Sequence, residues 1–326
     1  MKTILLTGSA GFIGSNTASA LLDRGDVVIG VDNLNDYYDP ARKHANLDEV
    51  RAQAPDASKF VFYEADIRDE AAMESIFAEH QPDTVIHLAA MAGVRASMDD
   101  PRLYFDVNLN GTLTLLDVAQ RHGQPPFVFA STSSVYGRTE IIPFIETDHA
   151  DRPLAPYPAS KRAAELLGHS YFHLYGQNFT ALRFFTVYGP RGRPDMMAYL
   201  VLDNIFHGKQ VPLYNGGQMH RDWTFIDDIV RGIMAAADRP LGFEIINLGR
   251  GEPILLADFV KLIEQLAGQS ASLIDKPMLA ADVSYTYANV DRAKDLLGYA
   301  PKVSVQKGVE AFWDWYQRAV LQGDRA

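Results

Sequence analysis

The sequence predicts an α/β protein, a doubly wound parallel sheet with helices on both faces, followed by a smaller C-terminal lobe. Three observations carry this. Short apolar runs rich in Val, Ile and Phe alternate with amphipathic stretches through the first half of the chain. A glycine-rich turn joins the first run to the first amphipathic stretch, where a parallel sheet collects ligands at its strand ends. The alternation then weakens after Gly189, in the Gly/Pro-rich Gly189-Pro190-Arg191-Gly192-Arg193-Pro194.

Taken in order, Ile4 to Thr7, Val27 to Val31, Phe60 to Tyr63, Thr84 to Leu88 and Phe127 to Ser131 read as buried strands, because they are short and β-branched or aromatic. Between them Phe12 to Arg24, Ala71 to Glu79 and Leu103 to His122 read as helices, and a further helix, Tyr157 to Tyr175, leads into Thr180 to Thr186. Strand–helix alternation of this kind requires crossovers that cover both faces of the sheet. Beyond Gly189 the elements are shorter: Tyr199 to His207, Val211 to Tyr214, Phe225 to Ala237, Ile245 to Leu248, Leu256 to Ala267 and a last helix near Gln306 to Val320. The expected division is a first domain of residues 1–188 and a second lobe of residues 189–326, with the segment 225–250 returning to the first domain. No Ser/Gly linker separates them and no internal repeat occurs, so the lobes are expected to pack together.

Of the 326 residues, 47% are hydrophobic and 22% charged, which supplies a large core in an ordinary globular balance. The absence of cysteine removes disulfides, thiolate metal sites and cysteine nucleophiles. With 30 Lys plus Arg against 41 Asp plus Glu, the net charge of −11 leaves no broad cationic surface. No nucleic-acid or anionic-membrane partner is expected, although local arginines can still hold a small anion. The apolar run after Met1 is too short for a signal peptide and no segment reaches a membrane span, so a cytoplasmic protein is expected. His169 and His173 share a helix face but have neither a Glu companion nor a cysteine, and no metal site is expected.

Chemistry enters at the strand ends. Gly8-Ser9-Ala10-Gly11-Phe12-Ile13-Gly14 lies between the first strand and the first helix, where glycines let the backbone turn, approach a pyrophosphate and aim helical amides at it. Asp32 ends the second strand; a carboxylate there accepts from a ribose diol and repels a 2′-phosphate, which favours NAD over NADP. Asp66-Ile67 follows the third strand and can border an adenine, and Leu88-Ala89-Ala90 follows the fourth with small side chains. Their order down successive strands describes a Rossmann-like dinucleotide site. Next comes the hydroxyl-rich Ala130-Ser131-Thr132-Ser133-Ser134-Val135-Tyr136-Gly137, and then Tyr157-Pro158-Ala159-Ser160-Lys161, which puts a phenol and an ammonium on one helix face. If the two pieces meet, they form a proton-transfer site. Free tyrosine titrates near about 10, and an ammonium beside it, with a cationic nicotinamide, lowers that toward a working base.

These motifs, with Asn33, His87, Asn108 and Arg221-Asp222, resemble the extended short-chain dehydrogenase/reductase family, and within it the nucleotide-sugar epimerases and dehydratases, over nearly the whole chain. The resemblance implies a tightly bound NAD that is reduced and reoxidised within one turnover. It implies a homodimer built on the helices Leu103 to His122 and Tyr157 to Tyr175. It makes Thr132, Tyr157 and Lys161 the catalytic set: Tyr157 takes the proton from a sugar hydroxyl as hydride leaves the same carbon, Thr132 hydrogen-bonds that hydroxyl, and Lys161 holds the nicotinamide ribose. The cofactor set is Gly8, Gly11, Phe12, Ile13, Gly14, Asp32, Asn33, Asp66, Ile67, Leu88, Ala89, Ala90, Ser131, Tyr157, Lys161 and Phe184.

Departures within the family narrow the substrate. The 4,6-dehydratases carry an Asp-Glu pair after the catalytic threonine, where this chain has Ser133-Ser134, and UDP-glucuronate decarboxylases usually carry Glu in place of Ser134. The stretches Arg183 to Met196, Asn33 to Asp39 and Ala92 to Arg95 are similar to UDP-glucuronate 4-epimerases, and Thr186 stands where UDP-galactose 4-epimerases and the decarboxylases usually have Asn. Hydroxyls of Ser133, Ser134 and Thr186 would hold a sugar carboxylate and raise the barrier to its loss. The expectation is NAD-dependent C4 epimerisation of UDP-glucuronate to UDP-galacturonate through a 4-keto intermediate. A UDP-glucuronate decarboxylase and a UDP-glucose/galactose 4-epimerase are the alternatives, and a catalytically silent NAD-binding sensor or scaffold is the alternative of another class. Arg221 is expected at the diphosphate, with Arg193 and Arg95 as further contacts and Tyr214 beside the uracil. UDP-galactose 4-epimerases place an arginine before a Gly-Asp segment where this chain reads Lys276-Pro277-Met278-Leu279-Ala280-Ala281-Asp282, which leaves one phosphate contact unassigned.

Overall fold

A computed structural model describes residues 1–322. In chain order its strands are β1 (Thr3–Thr7), β2 (Val27–Asp32), β3 (Phe60–Glu64), β4 (Thr84–His87), β5 (Phe127–Thr132), β6 (Phe179–Phe184), β7 (Thr186–Tyr188), β8 (Gln210–Tyr214), β9 (His220–Arg221), β10 (Trp223–Phe225), β11 (Phe243–Leu248), β12 (Ile254–Leu255) and β13 (Ser272–Lys276). Seven of them form one parallel sheet in the order β11-β6-β5-β4-β1-β2-β3. Strand order reverses between β1 and β4, which opens a crevice at their carboxyl ends.

The helices are α1 (Phe12–Asp23), α2 (Pro40–Gln53), α3 (Glu70–His80), α4 (Pro101–Phe105), α5 (Gly111–Arg121), α6 (Pro156–Tyr175), α7 (Met197–Phe206), α8 (Ile226–Asp238), α9 (Leu256–Ala267), α10 (Asp291–Leu297) and α11 (Val305–Tyr316). Because successive strand side chains point to opposite faces, β1 sends Ile4 and Leu6 into one apolar cluster and Leu5 into another. The Leu5 cluster fills the face under α3, α5 and α6. The other runs past α1 and α8 and continues into Leu213, Phe259 and Phe312 of the C-terminal segment, so one core spans both parts of the chain. Covered on both faces, β5 and β6 are buried at every residue. In the C-terminal segment, β7 pairs with β10, β9 with β12 and β8 with β13 as small two-stranded sheets, while β11 joins the main sheet beside β6.

The elements β9, β12, β13 and α10 have no counterpart in the sequence expectation, and three more places differ from it. The stretch from Leu103 to His122 is not one helix: a π-helical turn, Asp106–Asn110, separates α4 from α5. The turn carries Asn108 inward, where its side-chain oxygen accepts from the Met91 amide (2.8 Å) and its nitrogen donates to the Met91 carbonyl (3.0 Å). Helix α2, without apolar periodicity strong enough to read, is signalled instead by Asp39-Pro40: Asp39 caps the Ala41 amide (2.9 Å) and Pro40 takes the first helical position. The last α-helix stops at Tyr316 and a π-helical turn, Gln317–Leu321, follows. No helix among the described residues is long and apolar enough to cross a membrane.

Candidate active site

One cavity of about 370 Å³ runs along the carboxyl ends of β1 to β6. Its floor is the β1–α1 turn. Gly8 adopts a left-handed φ of +71° and lies so close to the loop after β4 that a Cβ there would sit 2.7 Å from the Ala89 amide nitrogen. A Cβ on Gly14 would be driven into the Gly8 carbonyl oxygen. Gly11, Phe12 and Ile13 line the same wall, and α1 starts at Gly11 without a side-chain cap, so its first amides remain free to meet an anion.

Asp32 is buried at the end of β2, where its carboxylate accepts from the Leu34 amide (2.9 Å) and the Ala10 amide (3.2 Å). Burial pushes its carboxyl up, and the Lys43 ammonium 3.8 Å away pulls the other way. Lys43 in turn donates to the backbone and side-chain oxygens of Asn35 at 2.9 and 3.0 Å. Beyond Asp32, Asn33 donates to Asp66 (3.0 Å), whose carboxyl is held down at about 2, chiefly by hydrogen bonds from Arg68. Asp66 and Ile67 line this end of the cavity with Asn33. Sequence reasoning missed Lys43, Asn35 and Tyr38, which line it too; the Asp39-Pro40 helix start, just past β2, was the signal that could have placed Lys43 there.

Leu88, Ala89 and Ala90 form the middle wall. Beneath them His87 is fully buried between Thr7 Oγ1 (2.7 Å) and Thr112 Oγ1 (3.0 Å), and burial pushes its imidazole far below its usual range, so it stays neutral. Asn108 adds a bond to Ser160 Oγ (3.0 Å), which ties the loop after β4 to α6 between Tyr157 and Lys161.

Thr132 ends β5, and its Oγ1 accepts from the Ser134 amide (3.2 Å), capping the short turn Ser133–Tyr136. Ser131, Thr132, Ser133 and Ser134 therefore share one wall with Tyr157 and Lys161, which project from the first turns of α6. The two sequence-distant pieces do meet. Burial pushes the Tyr157 phenol up, while the Thr132 hydroxyl and the Arg193 charge pull it down. Arg193 thus acts on this phenol in addition to the diphosphate contact expected of it. The Lys161 Nζ lies 4.1 Å over the Phe129 ring, buried and without a hydrogen-bond partner, and burial brings it down to about 7 against the opposing pull of Glu165. A buried ammonium without a partner is unsatisfied until a ligand brings it acceptors such as ribose hydroxyls. The glycine floor, the uncapped helix start, Asp32 and this orphaned ammonium together fit a dinucleotide laid across the strand ends.

Phe184, Thr186 and Arg193 close the far side. Arg193 makes a two-pronged pair with Asp195 (2.9 and 2.5 Å), and Tyr37 donates to the same carboxylate (3.3 Å), joining two loops over the cavity. Three predicted residues, Arg95, Tyr214 and Arg221, do not line this cavity. They gather in an adjoining cluster with Asp282. The Arg95 guanidinium sits 3.8 Å over the Tyr214 ring and pairs with Asp282 (2.9 Å); Arg221 is lowered by burial, raised by Asp282 and lowered further by Arg95. The strand end carrying Arg221 is anchored by buried Asp222, which accepts from the amides of Arg250 (2.7 Å), Gly251 (2.9 Å) and Ala288 (3.1 Å). Asp282 was missed as a site residue, although its segment stood out as a departure.

The model of the NAD dependent epimerase/dehydratase family matches residues 4–249. The chain is 43% identical over 316 residues to the UDP-glucuronate 4-epimerase of Thermodesulfobacterium geofontis, covering 97% of this chain and 96% of the relative. Among solved structures it is similar to the Bacillus cereus UDP-glucuronic acid 4-epimerase in complex with UDP-glucuronic acid and NAD (TM-score 0.89, 32% identity, 97% of this chain and 99% of that one). It is equally similar in backbone to the Thermotoga maritima UDP-glucose 4-epimerase with UDP-glucose (TM-score 0.89, 32% identity, 98% and 99%).

Proposed function

The chain belongs to the NAD dependent epimerase/dehydratase family, and from that premise and the cavity above we propose that it is an NAD-dependent nucleotide-sugar epimerase converting UDP-glucuronate to UDP-galacturonate at C4. One observation carries the sugar assignment: around Thr132 and Tyr157 the cavity presents the hydroxyls of Ser133, Ser134 and Thr186, while its lining carboxylates, Asp32 and Asp66, sit at the ends of β2 and β3. Strand spacing puts Asp32 roughly 14 Å from the end of β5. The reacting sugar therefore meets hydroxyl donors and the Tyr157 phenol, with cationic Arg193 nearby and none of the cavity's lining carboxylates, which elimination would need.

Bound NAD supplies the carbon that accepts the C4 hydrogen with its electron pair and later returns it. Tyr157 removes the C4 hydroxyl proton through a bond shared with Thr132, and returns it once the 4-keto sugar has turned its other face. Lys161 holds the nicotinamide ribose, and the wall of Phe184, Leu88 and Ala89 excludes water. Loss of carbon dioxide from a β-keto acid moves charge from the carboxylate toward the ketone. Donors at Ser133, Ser134 and Thr186 stabilise that charge where it starts and so raise the barrier to decarboxylation. Arg221, with Arg95 and Arg193, serves the diphosphate, and Tyr214 the uracil, which makes residues 189–326 mainly the substrate lobe.

The reading includes a homodimer. Helices α5 and α6 pack side by side and leave Leu113, Leu166 and Leu174 exposed, apolar side chains that a second copy could cover. The lack of cysteine supports a reducing, cytoplasmic setting. The deciding assay incubates purified protein with UDP-glucuronate and identifies the sugar nucleotides by NMR. UDP-galacturonate is the expected product. A pentose nucleotide with carbon dioxide, or activity confined to UDP-glucose and UDP-galactose, would reject the assignment.

A further inference from the structure

We infer that Glu165 is a positioning residue for this reaction, its buried carboxylate locking the strand end that carries Ser131 and Thr132, the strand end that carries Arg183, and the helix that carries Tyr157 and Lys161 into one unit. The inference rests on the epimerase reading. Glu165 lies one turn beyond Lys161 on α6 and has no exposed surface. Its Oε1 accepts from the Ser131 hydroxyl and from Arg183 Nε (2.9 Å); its Oε2 accepts from Arg183 Nη2 (2.8 Å) and Arg162 Nη1 (3.0 Å). Those four bonds use the acceptor capacity of a carboxylate.

Each donor leads to a different part of the site. Ser131 is the neighbour of Thr132 in β5. Arg183, wholly buried, precedes Phe184 and the turn to Thr186, and its guanidinium lies 4.6 Å over the Tyr136 ring. Arg162 adjoins Lys161 on α6. One carboxylate thus fixes β5, β6 and α6 against one another at the level of the reacting groups, where an error of about 1 Å between a base and its proton costs on the order of a hundredfold in rate.

The charge matters with the geometry. The groups facing Lys161 are Phe129 and His87 from the sheet, and Tyr157 and Glu165 from its own helix; Arg162 and Arg183 bond to Glu165, and Tyr136 lies against Arg183. Of these only Glu165 is an anion, and it is the charge that holds the Lys161 ammonium against desolvation. A merely stabilising ion pair would leave the kcat of the folded enzyme unchanged, whereas loss of the anion moves the Lys161 titration in either case.

The test uses NAD-loaded enzyme carrying Glu165→Gln or Ser131→Ala, with four readouts: kcat and KM for UDP-glucuronate, bound NAD, melting temperature, and the Lys161 titration by nitrogen NMR of lysine-labelled protein. Glu165→Gln is expected to lower kcat at least about tenfold at a KM within about twofold of the parent. The Lys161 titration should move down by about one pH unit, because an anion that favoured the ammonium is gone. Ser131→Ala leaves the Glu165–Arg183 pair intact but removes one buried donor to its carboxylate, so it should fold with a modestly lower melting temperature and lose about fivefold in kcat. A folded, NAD-loaded Glu165→Gln with parental kcat would overturn the inference, wherever Lys161 titrates, as would a kcat loss that only tracks the folded fraction. Should Glu165→Gln fail to fold, Ser131→Ala decides, and parental turnover in that variant rejects the role. If the parent enzyme does not turn over UDP-glucuronate, the epimerase reading fails by itself, and Glu165 is judged by the same kcat comparison on whichever nucleotide sugar the parent does convert.

Discussion

The cofactor side of the cavity is walled mostly by backbone and short side chains, from the Gly8 turn against Ala89 to the buried His87 wedged between Thr7 and Thr112. The cluster of Arg95, Tyr214, Arg221 and Asp282 is built of long side chains that hold one another. The first is shaped before any ligand arrives; what it lacks is acceptors for the Lys161 ammonium. In the second, Arg95 covers the Tyr214 ring and Asp282 neutralises Arg95, so a base that stacks on Tyr214 and a diphosphate that pairs with these arginines must displace both contacts. On the proposed reading one cofactor serves many turnovers while a nucleotide sugar is exchanged at each, which gives the two sides reason to be built differently.

Three substitutions probe that contrast, from the largest effect to the smallest. Tyr157→Phe removes the proton acceptor from the preformed side and leaves its walls in place. Turnover should fall about 10³-fold, while bound NAD and melting temperature stay at parental values; residual activity near the parent would take Tyr157 out of the mechanism. Gly14→Ala attacks the preformation itself, because the new methyl runs into the Gly8 carbonyl. Overpacking of this kind costs about 1–3 kcal/mol, and we expect a lower melting temperature and protein that emerges from gel filtration without its dinucleotide. Full NAD retention would mean that the floor yields more than its geometry implies. Asp282→Asn tests the other side, where removing a competing anion should lower KM for the nucleotide sugar by roughly twofold to fivefold, the scale of a partly exposed ion pair, with kcat and NAD content unchanged. A raised KM would show that Asp282 presents the arginines to the ligand instead of competing with it.

The solved relatives sharpen the point. A UDP-glucose 4-epimerase and a UDP-glucuronic acid 4-epimerase superpose on this chain with the same TM-score of 0.89, so the backbone does not choose between a hydroxymethyl group and a carboxylate. On the proposed reading the choice falls to a few hydroxyls, Ser133, Ser134 and Thr186, on the cavity wall. Those residues were legible in the sequence because they sit beside the catalytic threonine or directly after β6, where the motif itself fixes their place. Lys43 was not legible, since the helix that carries it has little apolar periodicity and its role comes from a contact with Asp32. The π-helical turn at Asp106–Asn110 hid inside an amphipathic stretch for a related reason: its cause is the grip of Asn108 on Met91, and nothing in the local pattern records it.

By itself the sequence determined the parallel sheet, the glycine floor under its first helix, the acidic end of β2, and the Tyr157–Lys161 face beside a run of hydroxyls. Each depends on the order and spacing of neighbouring residues, which periodicity and backbone sterics translate directly into shape. Only the tertiary structure decided that Arg95 would lie on Tyr214, that Arg193 would act on the Tyr157 phenol, and that Glu165 would bind together Ser131, Arg162 and Arg183. These arrangements join side chains from separate elements inside a medium of low polarity, where the strength of a charge or hydrogen bond is set by which partner the fold brings to it.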